Sequence, residues 1–231
     1  MAIVEIKKLR KDYKGFLALN GIDLSLEKGK IVGLLGPNGS GKTTLIKLMN
    51  GLLQPSGGEI LIGGHHPGVE TKKIISYLPD KDFLPNEINT SYMINYFKDF
   101  FKDFDEEKAN EMLETLDIDK NKKLGKLSKG TREKIRLVLT MSRKAEVYLL
   151  DEPIAGVDPA ARDFILRTII SNYNKDGLVL ISTHLISDVE SVLDEVLFLK
   201  KGDIILHKSV DEVREEQGET VDEYFREVFA C

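Results

Sequence analysis

The sequence of 231 residues contains no tryptophan and one cysteine, Cys231, its final residue. A lone cysteine closes no intrachain disulfide, so a reducing cytoplasm is the expected compartment. Long apolar runs are missing as well: no uncharged stretch approaches the ~20 residues needed to cross a bilayer. The opening MAIVEIKKL reads as a strand rather than a basic-then-apolar secretion signal. Nor is there a basic surplus. With 33 Lys and Arg against 38 Asp and Glu the net charge is −5, which argues against non-specific adhesion to nucleic acid. Membrane-spanning, secreted and disulfide-stapled classes are excluded on these grounds. What remains is ordinary, with 42% hydrophobic and 31% charged residues, as in packed globular proteins. At ~150 residues per domain the length suits one domain carrying a sizeable insert.

Apolar alternation around Ile3 and again over Ile22–Leu26 suggests strands with one covered face. IVGLL (31–35) is continuously apolar, as expected of a strand buried on both faces of a parallel sheet. A glycine-rich turn follows, then KTTLIKLMNGLL, where Leu45, Leu48, Met49 and Leu52 fall at helical spacing. VYLLD (147–151) and GLVLIST (177–183) are two further buried-strand candidates. The helix predicted between them has Asp158 as N-cap and Pro159 at its first position. This alternation predicts an α/β fold with a mostly parallel sheet. The middle, about 86–126, differs. Tyr92, Tyr96, Phe97, Phe100, Phe101 and Phe104, then Ala109, Met112, Leu113 and Leu116, read as an inserted helical lobe with most of the aromatic stripe forming its core. The end after about residue 210 reads as a short, charged, helical tail.

Residues 36–43, GPNGSGKT, fit G-x-x-x-x-G-K-[ST]. Gly36, Gly39 and Gly41 let backbone N–H groups converge on an anion. The helix starting near Lys42 adds its positive dipole end. Lys42 can reach the β- and γ-phosphates, and the Thr43 hydroxyl can ligate Mg2+. An incidental glycine turn is the bland alternative; the flanking strand and helix argue against it. The expected nucleotide-binding set is therefore Gly36, Asn38, Gly39, Ser40, Gly41, Lys42, Thr43 and Thr44; such a cradle suits kinases, GTPases, helicases and transport ATPases alike. At the end of VYLL, Asp151 fits a metal-holding role, and Glu152 is placed to orient or deprotonate a water attacking the γ-phosphate. Two solvated acids at a strand end are the alternative. His184, closing the next buried run, faces the same crevice as a γ-phosphate sensor. Lys42, Glu152 and His184 form the expected catalytic set.

Taken in order, GPNGSGKT, LSKGT (127–131), VYLLDEP (147–153), GVDP (156–159) and STH (182–184) resemble the ATP-binding subunit of an ABC transporter. The resemblance covers essentially the whole chain, and its order and spacing are most similar to bacterial subunits that pair with separate permease chains, of the Ytr exporter type. It implies a P-loop NTPase core in two parts (1–85, with an antiparallel β subdomain, and 136–210), a helical lobe with the signature motif (86–135) and a tail (211–231). It also implies a head-to-tail dimer, identical or mixed, with ATP held in trans by Ser128 and Gly130, Asp158 at the dimer seam and Tyr13 stacked on adenine. Its partners would be a second ATP-binding subunit and an integral-membrane permease, without nucleic acid, and its place the inner face of the membrane. Ser128 also suits a plain N-cap role, as does Asp158.

Two departures stand out. The signature is LSKGT where the family usually has LSGGQ, so Lys129 replaces a glycine and Thr131 a glutamine. YLPD (77–80) has Asp80 where the family has a glutamine touching Mg2+ and the attacking water. Aspartate still offers oxygen to Mg2+ but brings a charge towards the γ-phosphate. Lys120, Lys122, Lys123 and Lys126 read as a solvated loop. The competing readings are an ABC-type ATPase acting on chromosomes, repair or ribosomes, and a switch that binds ATP with little turnover.

Overall fold

A computed structural model describes residues 2–230; Cys231, and with it the expectation about its thiol, lies outside the described residues. Two long strands, β1 (Ala2–Tyr13) and β2 (Phe16–Glu27), pair as an antiparallel hairpin, and β4 (Gly57–Ile62) joins the free edge of β1, giving the order β2-β1-β4. Their alternation works as read: Val4, Ile6, Leu9, Leu19, Leu24 and Leu26 are buried on one face.

Between these strands run β3 (Ile31–Leu35) and α1 (Lys42–Met49). After them come α2 (Val69–Ile74), β5 (Ile75–Leu78), α3 (Thr90–Phe100), α4 (Glu106–Thr115) and α5 (Lys129–Met141). The remainder comprises β6 (Val147–Asp151), α6 (Pro159–Asn172), β7 (Leu178–Thr183), α7 (Ile186–Val189), β8 (Glu195–Lys200), β9 (Asp203–Ser209), α8 (Val210–Gln217) and α9 (Val221–Phe229). The second sheet has the order β5-β6-β7-β3-β8-β9, parallel throughout except for the antiparallel β8–β9 edge. All residues of β3, β6 and β7 are buried, because α5 and α6 with the later helices cover one face and α1 together with the antiparallel sheet covers the other.

Sequence and structure part company at two places, and at a third the structure adds to the reading. Leu52 lies beyond α1 and is 52% exposed, since Gly51 (φ +66°) ends that helix in the left-handed region. The aromatic stripe of α3 is divided. Met93 and Ile94 are buried with Phe97 packed beside them, whereas Tyr92, Tyr96 and Phe100 stand exposed. A helix packed on one side has room for one apolar stripe, and only part of the aromatic set falls within it. The charged tail is an anchored element, with Tyr224, Phe225 and Phe229 of α9 surrounding Phe198 at ring separations of 5.3–5.9 Å. α5 crosses position 135 without a break because its two faces serve two cores. Ile135, Val138 and Leu139 pack with α3 and α4, while Leu137 and Met141 pack against the parallel sheet.

Candidate nucleotide site

Strand order builds the site. Because β7 lies between β6 and β3, the parallel registers align Leu35 with Thr183 and Asp151 with Ser182. The carboxyl ends of β5, β6, β7 and β3 therefore deliver Asp80, Asp151 and Glu152, His184 and the glycine loop to one edge, where open α/β sheets bind ligands. A cavity of about 410 Å³ opens there, lined by Asn38, Gly39, Ser40, Gly41, Lys42, Thr43, Thr44, Asp80, Glu152 and His184, with Phe16, Ala18 and Ala155.

The loop is held tightly. A Cβ at Gly36 would collide with the Leu199 carbonyl and the Ser40 hydroxyl, so Gly36 sits behind the cavity as packing. Gly41 has φ +115°, and a Cβ there would meet the Ala18 carbonyl at 2.6 Å. Gly202, in the β8–β9 turn, donates its N–H to the Ser40 carbonyl at 3.0 Å and props the loop from outside. Lys42 is 5% exposed and its ammonium is turned onto its own loop, donating to the Gly36 carbonyl (2.7 Å) and the Pro37 carbonyl (3.3 Å). It is also 3.3 Å from Glu152 Oε1.

Glu152 adopts φ +50°, a strained conformation for a side chain of its size, stabilised by its N–H donating to the Ser182 carbonyl (3.0 Å). Its other oxygen lies 3.0 Å from His184 Nδ1. Lys42, Glu152 and His184 thus form one contiguous chain. Asp151 is 1% exposed; its Oδ1 accepts from Ser182 Oγ (2.7 Å) and Thr43 Oγ1 (3.1 Å). Burial pushes its carboxyl pKa up, against the opposing hydrogen bonds from Ser182 and Thr43. Asp151 Oδ2 is buried without a hydrogen-bond partner. An orphaned carboxylate oxygen beside a threonine hydroxyl is the donor set a hard divalent cation takes, with phosphate and water completing the shell.

Tyr13 and the three residues expected to act in trans lie outside this cavity wall. Tyr13, at the end of β1, is not in the cavity wall; Lys11 sits over its ring at 5.1 Å. Phe16, its partner across the hairpin turn, lines the cavity and is 62% exposed. Ser128, Gly130 and Asp158 border a separate depression of about 290 Å³ with Lys129, Thr131 and Gly156. Ser128 caps α5, accepting from the Thr131 N–H at 3.2 Å, and the two hydroxyls are 2.8 Å apart. Lys129 is 3.7 Å from Glu133 and open to solvent. Lys120, Lys122, Lys123 and Lys126 are all exposed.

Glycine loop, buried metal-type carboxylate, adjoining glutamate and strand-end histidine at one sheet edge define a nucleoside-triphosphate hydrolase of the P-loop class. Residues 19–155 match the ABC transporter family, and the chain belongs to that family as an ATP-binding subunit, an ATPase. It is 31% identical to the ABC transporter ATP-binding protein YtrB of Bacillus subtilis over 93% of this chain and 74% of that one. The SkfA peptide export ATP-binding protein SkfE of the same organism is 29% identical, over 98% of this chain and 97% of that one. Among solved structures, an ATP-binding subunit of an ABC transporter superposes with a TM-score of 0.88 at 26% identity, covering 98% of this chain and 99% of its own. CbiO1 of Clostridium perfringens, part of the ABC transporter complex cbiONQ, gives 0.76 at 26% identity over 98% and 94%. No helix among the described residues is long and apolar enough to cross a membrane.

Proposed function

We propose that this chain is the motor of a two-part transporter: it binds Mg·ATP, pairs head to tail with a second ATP-binding subunit and drives a separate permease from the inner face of the membrane. The convergence of Lys42, Thr43, Asp80, Glu152 and His184 on one cavity carries this reading. Lys42 moves from Glu152 onto the β- and γ-phosphates, while backbone N–H groups of residues 38–44 and the dipole of α1 hold the remaining charge. Thr43, Asp151 and Asp80 would hold Mg2+, which would neutralise part of the phosphate charge there. Glu152, released from Lys42, accepts a proton from the attacking water, and His184 steadies its carboxylate through Nδ1. Phe16 replaces Tyr13 as the adenine platform.

The second half of the site comes in trans. Ser128 accepts from Thr131, so its own proton can point outward to a γ-phosphate, with the Gly130 N–H beside it and Asp158 at the seam. An apolar groove of about 370 Å³ between sheet and helical lobe, walled by Leu52, Tyr77, Phe83, Phe97 and Phe101, suits a short helix of the permease. Export is the direction favoured, by likeness to SkfE. The decisive test is purification from detergent-solubilised membranes together with a turnover assay. Co-purification of a multi-span protein, and turnover rising more than linearly with protein concentration, support the reading; ribosomes or DNA in its place refute it. The charge of Asp80 favours a second reading, a slow ATP-dependent switch, and a wild type no faster than Glu152→Gln would establish it.

A further inference from the structure

Beside the nucleotide cavity lies a small cleft of about 30 Å³, room for about one water. Asp80 and Glu152 line both spaces. The far wall of the small one includes Glu133, Arg136 and Leu137 of α5, the helix that Ser128 caps.

Arg136 is an unusual occupant. It is 7% exposed. Its Nη2 donates to the Pro79 carbonyl and, at 3.3 Å, to the Asp80 carbonyl, while its Nε–H is buried without a partner. The other arginines of this helix and its end behave differently: Arg132 pairs with Asp82, and Arg143 with Asp103. Arg136 forms no ion pair among the described residues. A buried guanidinium that is neither paired nor fully hydrogen-bonded is costly, so a nearby charge must compensate it for it to be retained. The carboxylates acting on it are Asp82, Glu133 and Asp80. Asp82 is engaged by Arg132 and Glu133 lies opposite Lys129; Asp80 acts least of the three on Arg136 but is the one with no ion pair among the described residues, and its own carbonyl is held by the guanidinium.

We propose that Arg136 is a positioning residue for ATP hydrolysis: it balances the charge of Asp80 and, by gripping the Pro79 and Asp80 carbonyls, sets the direction from which that carboxylate enters the nucleotide cavity. The proposal rests on the reading that Asp80 faces the bound nucleotide. A neutral side chain at position 80 needs no such cation. An aspartate aimed at a polyphosphate does, because it otherwise adds repulsion where negative charge is already dense. Arg132 ties the same segment one turn earlier, through Asp82 and the Leu84 carbonyl. Residues 79–84 are thereby fixed to two successive turns of α5, and Ser128 stands at the start of that helix, about 12 Å away along its axis at ~1.5 Å per residue. A shift of Asp80 on meeting nucleotide therefore bears directly on the helix that presents Ser128 to the partner's ATP.

The test is a double-mutant cycle of Asp80→Gln and Arg136→Met, read by kcat, KM and thermal melting without nucleotide. Arg136→Met alone should lower kcat about tenfold or more, with KM changing less than threefold, and should lower the melting temperature. Adding Asp80→Gln should return the part of both losses that comes from the uncompensated Asp80 charge, while the part due to the lost Pro79 and Asp80 carbonyl contacts remains. Arg136→Lys, which keeps the charge but not the fork, should fall between wild type and Arg136→Met in kcat. Equal losses in the Asp80 and Asp80→Gln backgrounds, in turnover and melting alike, overturn the proposal, since a purely structural arginine behaves that way. If the wild type shows no turnover, the ATPase reading fails separately, and the melting cycle still decides whether Arg136 and Asp80 are coupled. Should Arg136→Met not fold, the same cycle with Arg136→Lys decides between coupling and independence.

Discussion

Replacing Glu152 by glutamine separates two duties that the geometry assigns to one carboxylate. Glu152 holds Lys42 at 3.3 Å, and the two side chains are 12% and 5% exposed. At an effective dielectric of ~20 the bare attraction is about 5 kcal/mol. Most of that is offset by desolvation, leaving the ~1.5 kcal/mol of a modest charge-assisted hydrogen bond. ATP must break this contact before Lys42 can reach its phosphates. Glutamine keeps shape and backbone, including the φ of +50°, but surrenders the charge. Nucleotide should therefore bind about tenfold more tightly to Glu152→Gln, while loss of the base lowers turnover by ~10²–10⁴. Titration of a fluorescent ATP analogue with Mg2+, in a Ser128→Asp background that blocks pairing, measures the first effect; phosphate release without the second substitution measures the other. Binding no tighter than that of the parent, or turnover within threefold of wild type, would refute the assignment.

Individual contacts set three further outcomes. Ser128→Asp keeps the cap of α5 but sets a negative charge against the partner's phosphate, so it should melt with wild type and lose turnover, whereas Ser128→Ala loses the cap as well, costing about 1 kcal/mol. Phe16→Ala should weaken ATP binding by about 1–3 kcal/mol, roughly 5–150-fold, and Tyr13→Ala should leave it near wild type; equilibrium titration distinguishes the two rings. Asp105 caps α4 by accepting the Lys108 N–H at 3.0 Å, and that bond, helped by Lys144, holds its carboxyl below the usual range despite some burial. A folded-state value below the unfolded one stabilises above the ordinary carboxylate range and is lost as pH falls through the folded value. Asp105→Ala should thus melt ~2–4 °C lower at pH 7, with the gap to wild type closing below about pH 4 in calorimetry.

The glycine loop and the strands β3 and β6 were legible because their signals are local. A continuous apolar run that ends in Gly36 or Asp151 is a buried strand feeding a polar edge, whatever surrounds it. Position 16 was not legible in that way. Tyr13 and Phe16 flank the same hairpin turn, and only the twist of β1 and β2 against the glycine loop decides which ring faces the cavity. The α3 stripe misled for a related reason, since period alone marks aromatic and aliphatic faces without saying which one meets α5. The helical tail carried an overlooked signal. Ser209 with Glu212, and Thr220 with Glu223, are capping boxes written plainly as SVDE and TVDE. Arg136 had no sequence signature, because burying a guanidinium depends on contacts between α5 and the end of β5 that pattern cannot supply.

The order of the larger sheet also governs when the protein becomes competent during synthesis. β3 is flanked by β7 and β8, which leave the ribosome only after more than a hundred further residues have been added to the chain. At ~5–20 residues per second this leaves Ile31–Leu35 with neither neighbour for roughly seven seconds or longer. A nascent chain halted after Asp151 would have translated every glycine of the loop and still lack the strands that hold it in shape. Throughout that interval a sticky pentapeptide waits for its lateral partners, which makes it the segment a trigger-type chaperone would be expected to shield.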